Sequence, residues 1–303
     1  FEYLLVPVAF ACWEAWISTA MLVPQTSSID MLVAARPGVI APTMMAKMIS
    51  TFDQLSGGRV RVNLIAGGGV EESRADGVYL ELRVKVDKDW PLDKGCLLGC
   101  GVVTGWGSAV YSAGVEPGDY VAVVGCGGIG SNAVQGAAMA GARVVAAIDP
   151  VAFKREQAME FGATHTFSSM EEAMEKLGET TWDRGYDKVI MTMGTGDSDS
   201  LGQGFNLGGK RSKIVVTNLH STAEGSVNIP AIMLTMMEKQ LIGSLFGSAN
   251  IRKDIPRLFE LYLDGKLKLD ELITETYTLD QINEGYDAMR SGANIRGVIL
   301  YDE

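Results

Sequence analysis

The sequence predicts an α/β fold whose main part is a doubly wound parallel sheet of about six strands. Short, continuously apolar strands alternate with helical segments over residues 118–247, as in a parallel sheet covered on both faces. A glycine-rich turn, Gly125 to Gly130, connects the first of these strands to a helix. A carboxylate, Asp149, then stands at the end of the second strand.

The composition is that of a globular protein with a large apolar core. The chain has 303 residues, of which 47% are apolar and 21% charged. Its net charge of −11 argues against a nucleic-acid-binding surface. The four cysteines are too few and too irregularly spaced for a secreted disulfide framework, which predicts a cytoplasmic protein. The apolar segment Tyr3–Val23 contains Glu14, so no membrane role is expected.

Hydrophobic patterns and breaker residues predict the remaining elements. Strands of the central sheet are predicted at Tyr120–Val124, Arg143–Ile148, Thr164–Phe167, Lys188–Met193, Lys213–Thr217 and Leu241–Phe246. The N-terminal region is predicted to contain strands Tyr3–Val6, Ile29–Ala35 and Arg59–Ala66 and helices Glu14–Val23 and Thr43–Leu55. The C-terminal tail is predicted to form helices Asp254–Leu263 and Asp280–Arg290 and a strand Gly297–Tyr301.

The segment Gly125-Cys126-Gly127-Gly128-Ile129-Gly130 has the G-x-G-x-x-G pattern of a Rossmann dinucleotide-binding turn. Gly125 permits the tight turn, Gly127 lets the backbone approach a pyrophosphate, and Gly130 permits close packing of helix on strand. Gly128 and Ile129 complete the predicted cofactor-binding turn. The helix that follows would offer unpaired backbone N–H groups to the phosphates. Cys126 is interpreted as a small, unreactive residue of this turn.

Asp149 predicts which dinucleotide is bound. It lies nineteen residues beyond Gly130, at the end of the predicted strand Arg143–Ile148. A carboxylate there accepts hydrogen bonds from both hydroxyl groups of the adenosine ribose and repels a 2′-phosphate. Pro150 follows where an NADP-binding protein more often has an arginine. The sequence therefore predicts NAD as the cofactor.

Residues 83–303 resemble the C-terminal part of zinc-dependent medium-chain alcohol dehydrogenases, closest to the class III-like and NAD-retaining actinobacterial branch. The resemblance is carried by the glycine motif and by the segments 92–105, 161–165, 282–286 and 294–297. It implies a small alcohol or aldehyde-adduct substrate and a cofactor that accepts hydride.

The resemblance also implies roles for individual residues. Cys100 corresponds to the last of three protein ligands of a catalytic zinc, and Thr104 to a catalytic-site residue beside the nicotinamide. Asp149 and Lys154 would hold the adenosine ribose, and Arg296 would contact the pyrophosphate. Because the last sheet strand pairs with its copy in this family, a homodimer through Leu241–Phe246 is expected. The run Met233–Met237 is interpreted as core or interface packing.

The predicted zinc site is incomplete in this sequence. In the family the other two ligands, a cysteine and a histidine, lie in an N-terminal β-rich domain that the sequence before residue 83 does not resemble. The two histidines, His165 and His220, both fall in the nucleotide-binding half. One thiolate does not hold a catalytic zinc, which needs three protein ligands. The sequence therefore predicts NAD binding with zinc occupancy doubtful.

Residues 1–81 resemble instead the luciferase-like flavin monooxygenases, particularly the alkanesulfonate branch. The matching segments are 12–16, 35–38, 51–59 and 76–80. That family forms an eight-stranded α/β barrel, and three predicted strands cannot close one. The N-terminal region is therefore predicted to be an incomplete α/β-barrel fragment, and bound FMN is not expected.

Four segments follow from these resemblances: a barrel fragment (1–81), a dehydrogenase remnant with its connecting helix (82–117), the NAD-binding Rossmann domain (118–247) and a C-terminal dehydrogenase remnant (248–303). The chain reads as a chimera whose junction lies near Glu81–Arg83. Three functions stay open: an NAD-dependent alcohol dehydrogenase-like oxidoreductase, a non-catalytic NAD-binding module, and a flavin-dependent monooxygenase.

Overall fold

A computed structural model describes residues 3–6, 15–35, 42–64, 90–220 and 226–300. The chain divides into two compact units, Phe1–Lys85 and Val86–Glu303. Each unit has its own parallel sheet and its own apolar core. The finer division of the second unit at residues 117 and 247 stays a prediction.

The first unit contains a three-stranded parallel sheet with β2 in the middle. Its elements are β1 (Tyr3–Val6), α1 (Ala15–Leu22), β2 (Asp30–Ala35), α2 (Pro42–Ser56) and β3 (Val60–Leu64). These agree with the predicted elements to within about two residues wherever the chain is described. Glu14 and the end of the predicted third strand lie outside the described residues.

Both helices of the first unit pack on one face of its sheet. Met31 and Val33 of β2 are fully buried in a cluster with residues of α1 and α2. The rings of Trp16 and Phe52, one from each helix, meet edge to face at 5.6 Å. Leu32 lies between Met31 and Val33 on β2. Its side chain points to the opposite face of the sheet and is half-buried.

The second unit begins with a long apolar helix, α3. It has four consecutive segments, alternately α- and π-helical: Leu92–Leu97, Leu98–Val102, Val103–Gly107 and Ser108–Ala113. Among the described residues it is the one helix long and apolar enough to cross a membrane, but 67% of that stretch is buried within the protein. A Cβ at Gly105 would lie 2.8 Å from the Ala133 nitrogen, so α3 packs directly on the next helix.

A six-stranded parallel sheet in the order β11-β9-β7-β4-β5-β6 follows. The strands are β4 (Tyr120–Val124), β5 (Val144–Ile148), β6 (His165–Phe167), β7 (Tyr186–Met191), β8 (Thr195–Gly196), β9 (Gly208–Val216), β10 (Leu219–His220) and β11 (Gln240–Gly243), with β8 and β10 pairing separately. The chain moves outwards from β4 in both directions, which is the strand order of the doubly wound nucleotide-binding fold. The predicted Rossmann fold is confirmed.

Helices cover both faces of this sheet. Besides α3, the helices described in the second unit are α4 (Gly130–Met139), α5 (Ala152–Glu160), α6 (Met170–Glu175), α7 (Leu177–Thr181), α8 (Ser198–Leu207), α9 (Ala231–Met236), α10 (Ile251–Leu263) and α11 (Ile282–Ser291). Along β4, Val121 and Val123 are buried in one core cluster, and Ala122 and Val124 in the other. The two clusters explain why the central strands β4 and β5 are apolar at every position.

The structure differs from the predicted boundaries at strand ends. The last sheet strand stops at Gly243 rather than Phe246, because Phe246, Gly247 and Ser248 all have left-handed backbone, with φ of 50°, 65° and 55°. The tail contains a parallel pair, β12 (Ile273–Tyr277) and β13 (Arg296–Ile299), of which only β13 was predicted.

Candidate functional site

The glycine turn lies at the carboxyl end of β4, where the sheet order reverses. Gly125 has a φ of 92°, and a Cβ there would lie 2.7 Å from the Met193 nitrogen. A Cβ at Gly130 would collide with the carbonyl oxygen of Gly125. At Gly127, by contrast, a Cβ would meet no protein atom within 4 Å. Internal packing therefore requires glycine at two of these positions, whereas at Gly127 the space is open.

Thr192, at the end of β7, fixes the start of this turn. Its hydroxyl lies 2.7 Å from the carbonyl oxygen of Gly125 and 3.1 Å from that of Val124. The side chain is nearly buried and lines the same cavity as the glycines. Sequence reasoning placed Thr192 inside a strand and missed this contact. A hydroxyl side chain just after a buried strand, next to the point where the strand order reverses, is the sequence signal that could have indicated this contact.

Asp149 lies beside the glycine turn and is largely buried. Its Oδ2 accepts the backbone N–H of Cys126 at 2.8 Å, and its Oδ1 accepts that of Val151 at 2.9 Å. Each carboxylate oxygen can accept a further hydrogen bond. The guanidinium of Arg155 donates to the backbone oxygens of Asp149 and Pro150 at 2.7 and 2.9 Å. The carboxylate is therefore held in one orientation at the edge of the cavity.

Arg296, from the start of β13, lies over the glycine turn. A Cβ at Gly128 would lie 2.7 Å from its Nη2, and a Cβ at Gly101 would lie 3.0 Å from its Cζ. The guanidinium is thus placed between α3 and the turn, and glycine is needed on both sides of it. Lys154 also lines the cavity, and its Nζ would be 3.3 Å from a Cβ at Gly292.

These side chains surround one cavity of about 690 Å³ along the carboxyl ends of the central strands. Of the predicted cofactor residues, those lining it are Gly125, Gly127, Gly128, Ile129, Asp149, Lys154 and Arg296. Gly130 lies just behind the turn. The structure therefore brings together residues that are up to 171 positions apart, from Gly125 to Arg296.

Cys126 is fully buried beneath the turn. Burial, with a smaller contribution from the Asp149 carboxylate, raises the pKa of its thiol to about 12. The thiolate is the nucleophilic form of cysteine, so this thiol is chemically quiet near neutral pH.

Cys100 and Thr104, both on α3, do not line the cavity. Cys100 is exposed, and Thr104 is buried with its backbone oxygen accepting the Ser108 hydroxyl at 2.7 Å. His165 lies on β6 and His220 on β10, whereas Cys100 lies on α3. Within the described part of the chain, no three His, Cys, Asp or Glu residues come close enough together to hold a metal ion. The donor set around Cys100 there does not fit a catalytic zinc.

Comparison with known families identifies both parts of the chain. Residues 128–264 match the family model described as zinc-binding dehydrogenase, and residues 1–92 match that of the luciferase-like monooxygenases. The two resemblances predicted from the sequence are confirmed.

Individual relatives agree with this division. The chain is 51% identical over 219 residues to an NDMA-dependent alcohol dehydrogenase of Amycolatopsis methanolica, covering 72% of this chain and 59% of the relative. It is 34% identical over 224 residues to S-(hydroxymethyl)glutathione dehydrogenase of Paracoccus denitrificans, with the same coverages of 72% and 59%. The crystal structure of benzyl alcohol dehydrogenase from Acinetobacter calcoaceticus matches with a TM-score of 0.66 at 29% identity, covering 72% of this chain and 59% of that one. The chain spans about three fifths of the length of these relatives.

Proposed function

We propose that the second unit binds NAD(H) in preference to NADP(H), as the nucleotide-binding part of an alcohol dehydrogenase-type oxidoreductase. The observation that carries this proposal is the open space at Gly127, directly beside the fixed carboxylate of Asp149. A missing side chain that no protein atom replaces leaves room for a ligand to contact the backbone. In a G-x-G-x-x-G turn at a switch point, that ligand is a pyrophosphate.

The charges around the cavity support a dinucleotide. The turn leads into α4, whose first backbone N–H groups favour negative charge. Arg296 adds a permanent positive charge over Gly128. Asp149 supplies two acceptors for ribose hydroxyl groups, and its negative charge would oppose a 2′-phosphate. Lys154 would contact the same ribose from α5.

A second part of the proposal concerns the reaction that the bound cofactor would take part in. Bound NAD would accept hydride from an alcohol or aldehyde adduct, with Thr104 near the nicotinamide. Cys100 alone does not assemble a zinc site from the described residues, so no step is assigned to a metal. We therefore propose that the chain behaves as an NAD-binding module whose turnover of alcohols is weak.

Cofactor titration tests the central claim. We expect NADH to bind more tightly than NADPH when each is followed by calorimetry. Asp149→Ala should weaken NADH binding by roughly tenfold to a hundredfold, because a charged acceptor is lost, and should narrow the preference. Equal or tighter binding of NADPH by the unmodified protein would refute the assignment. Flavin colour in the purified protein would instead favour the monooxygenase alternative.

A matched set of glycine substitutions tests the observation at Gly127. Gly127→Ala should keep the melting temperature and weaken NADH binding about tenfold or more, since its Cβ would occupy the ligand's space. Gly99→Ala is the control, because a Cβ there also meets no protein atom but lies on α3 outside the cavity. Gly130→Ala should lower the melting temperature, because its Cβ would strike Gly125. Unchanged NADH affinity in Gly127→Ala would contradict the proposal.

We also propose a homodimer through β11, the end strand of the six-stranded sheet. Leu241, Leu245 and Phe246 are exposed on or beside this strand. Met233–Met237 is interpreted from the sequence as either core or interface packing. None of the residues of α9 is buried, so interface packing is the interpretation that remains. An apolar edge strand is stabilised when another strand covers it. Light scattering at micromolar concentration should give a dimer, and Leu241→Lys should shift it towards monomer; a monomeric unmodified protein would count against the proposal.

A further inference from the structure

The end of the cavity beyond Asp149 carries a pair of polar side chains with no role in the proposed binding of phosphates or ribose. Gln203 of α8 donates from its Nε2 to Oε1 of Glu171, at the start of α6, with a distance of 2.7 Å. Both residues line the cavity that contains the glycine turn. The contact joins elements that follow two different strands, β6 and β7.

The order of groups along the cavity indicates which part of a dinucleotide would reach this pair. The glycine turn at β4 is the pyrophosphate end, and Asp149 after β5 marks the adenosine ribose. Glu171 follows β6, the strand beyond β5 in the sheet order. The cavity lining also includes two apolar groups, Pro150 directly after Asp149 and Met170 directly before Glu171. A planar base attached to the ribose would lie along these apolar groups with its polar edge towards the pair.

We infer that Glu171 and Gln203 read the hydrogen-bonding edge of the adenine, making the site selective for a 6-amino purine. This rests on the proposed function, since it assumes that NAD(H) occupies the cavity. The carboxylate of Glu171 can only accept hydrogen bonds and would accept one from the exocyclic amino group. The second hydrogen on the Gln203 Nε2 would be donated to the unprotonated N1.

The hydrogen bond between Gln203 and Glu171 determines which group of the pair accepts a hydrogen bond from the base and which group donates one. If the Gln203 amide turned over, its oxygen would face the Glu171 carboxylate, and two acceptors would stand together. The amide nitrogen therefore stays on the Glu171 side. Hypoxanthine reverses both groups of adenine, with a carbonyl in place of the amino group and N1–H in place of N1. It would set acceptor against acceptor and donor against donor.

The test compares NADH with reduced nicotinamide hypoxanthine dinucleotide by calorimetry on the full chain. The unmodified protein should bind the hypoxanthine form roughly threefold to tenfold more weakly, as expected for solvent-exposed hydrogen bonds. In Gln203→Ala the preference should narrow through weaker binding of NADH, because Glu171 alone still meets the 6-amino group. In the double variant Glu171→Ala with Gln203→Ala the two affinities should become nearly equal. Gln157→Ala is the control, because Gln157 lies on α5 outside the cavity lining and should leave the ratio unchanged.

The outcomes separate this inference from the proposed function. If neither dinucleotide binds, the proposed function is wrong and the inference falls with it. If NADH binds but the unmodified protein does not discriminate between the two bases, only the inference is overturned. A preference that survives undiminished in Gln203→Ala, in Glu171→Ala and in the double variant would also overturn it, because the base would then be read elsewhere. Circular dichroism on each variant would show that the fold is kept.

Discussion

The two units contain the same kind of element, a buried parallel strand, in different surroundings. In the first unit β2 has a strand on both sides, but the sheet has three strands and both described helices pack on one of its faces. In the second unit four of the six strands have neighbours on both sides, and helices form core clusters on both faces. Parallel strands are apolar on both faces. The helices of the second unit cover both faces of its sheet, whereas the described helices of the first unit cover one.

Both units have sequences that specify local strands and helices. They differ in whether the sequence also supplies all the strands of the fold. Residues 118–247 contain every strand needed for a doubly wound sheet. The first unit contains its strands and helices locally, with Trp16 and Phe52 in contact, but the α/β barrel of the family that it resembles closes with eight strands. A correct local pattern therefore gives the predicted elements in both units, and an open sheet packed on both faces in the second unit.

The largest expected effect concerns catalysis. Alcohol oxidation linked to NAD should be about 10⁴-fold slower than that of a zinc-containing relative, because a bound metal supplies several kcal/mol of transition-state stabilisation. Stoichiometric zinc by elemental analysis, together with steady turnover of ethanol, would contradict this prediction.

The next prediction concerns how fast the cysteines of the second unit react with an alkylating reagent. Cys126 is buried, and its pKa of about 12 lies three units above the ordinary value of 9.0, whereas Cys96 and Cys100 are exposed. Native alkylation with iodoacetamide should modify Cys126 about a thousandfold more slowly than a thiol of ordinary pKa. Peptide mapping measures this, and fast labelling of Cys126 in folded protein would mean that the second core opens readily.

The same thiol predicts the direction of a pH effect on stability. Above pH 9.0 the unfolded chain loses the Cys126 proton while the folded protein keeps it up to about pH 12. The folded state then binds more protons, so the free energy of unfolding falls as the pH rises through this window. Denaturant titrations at increasing pH should show a smaller decline for Cys126→Ala, and identical declines would contradict the assignment.

A third effect is expected in limited proteolysis. Trypsin should cut first near Arg74 or Arg83, close to the boundary of the two compact units after Lys85, because proteolysis concentrates in the segments that connect compact units. The remaining core should keep its affinity for NADH. Mass spectrometry identifies the cut, with a sample held at saturating NADH as the control. A first unit as resistant as Tyr120–Gly243 would mean that the two form one cooperative body.

The sequence predicted the sheet and the turn because both depend on local patterns. Apolar runs indicate buried strands, and the spacing of the glycines in residues 125–130 is set by the backbone geometry of the turn. Contacts between distant segments were not predictable in this way. Thr192 on Gly125 and Gln203 on Glu171 depend on strand order. The strand β12 was missed because Ile273–Tyr277 has three consecutive polar residues, Thr274 to Thr276, and so shows neither an apolar run nor a regular alternation. Arg296 was indicated by family resemblance, since nothing in its own segment points to the glycine turn.

The smallest effect tests the comparison at two equivalent positions. Val33 on β2 and Val123 on β4 are both fully buried valines on interior strands, each in the core of its own unit. Removing two methyl groups from a packed core costs about 2 kcal/mol of unfolding free energy. Val123→Ala should lower the midpoint of the denaturation transition that NADH shifts upwards, because ligand binding stabilises only the unit that holds the site.

Val33→Ala should leave that NADH-linked transition in place and lower a separate, earlier one. The reason is that Val33 belongs to the core of the first unit and Val123 to that of the second. Urea denaturation followed by far-ultraviolet circular dichroism, with and without NADH, resolves the two transitions. A single transition lowered equally by both substitutions would show that the units unfold together. The incomplete sheet of the first unit would then be stabilised by the second, and the contrast between them would be one of strand number and not of stability.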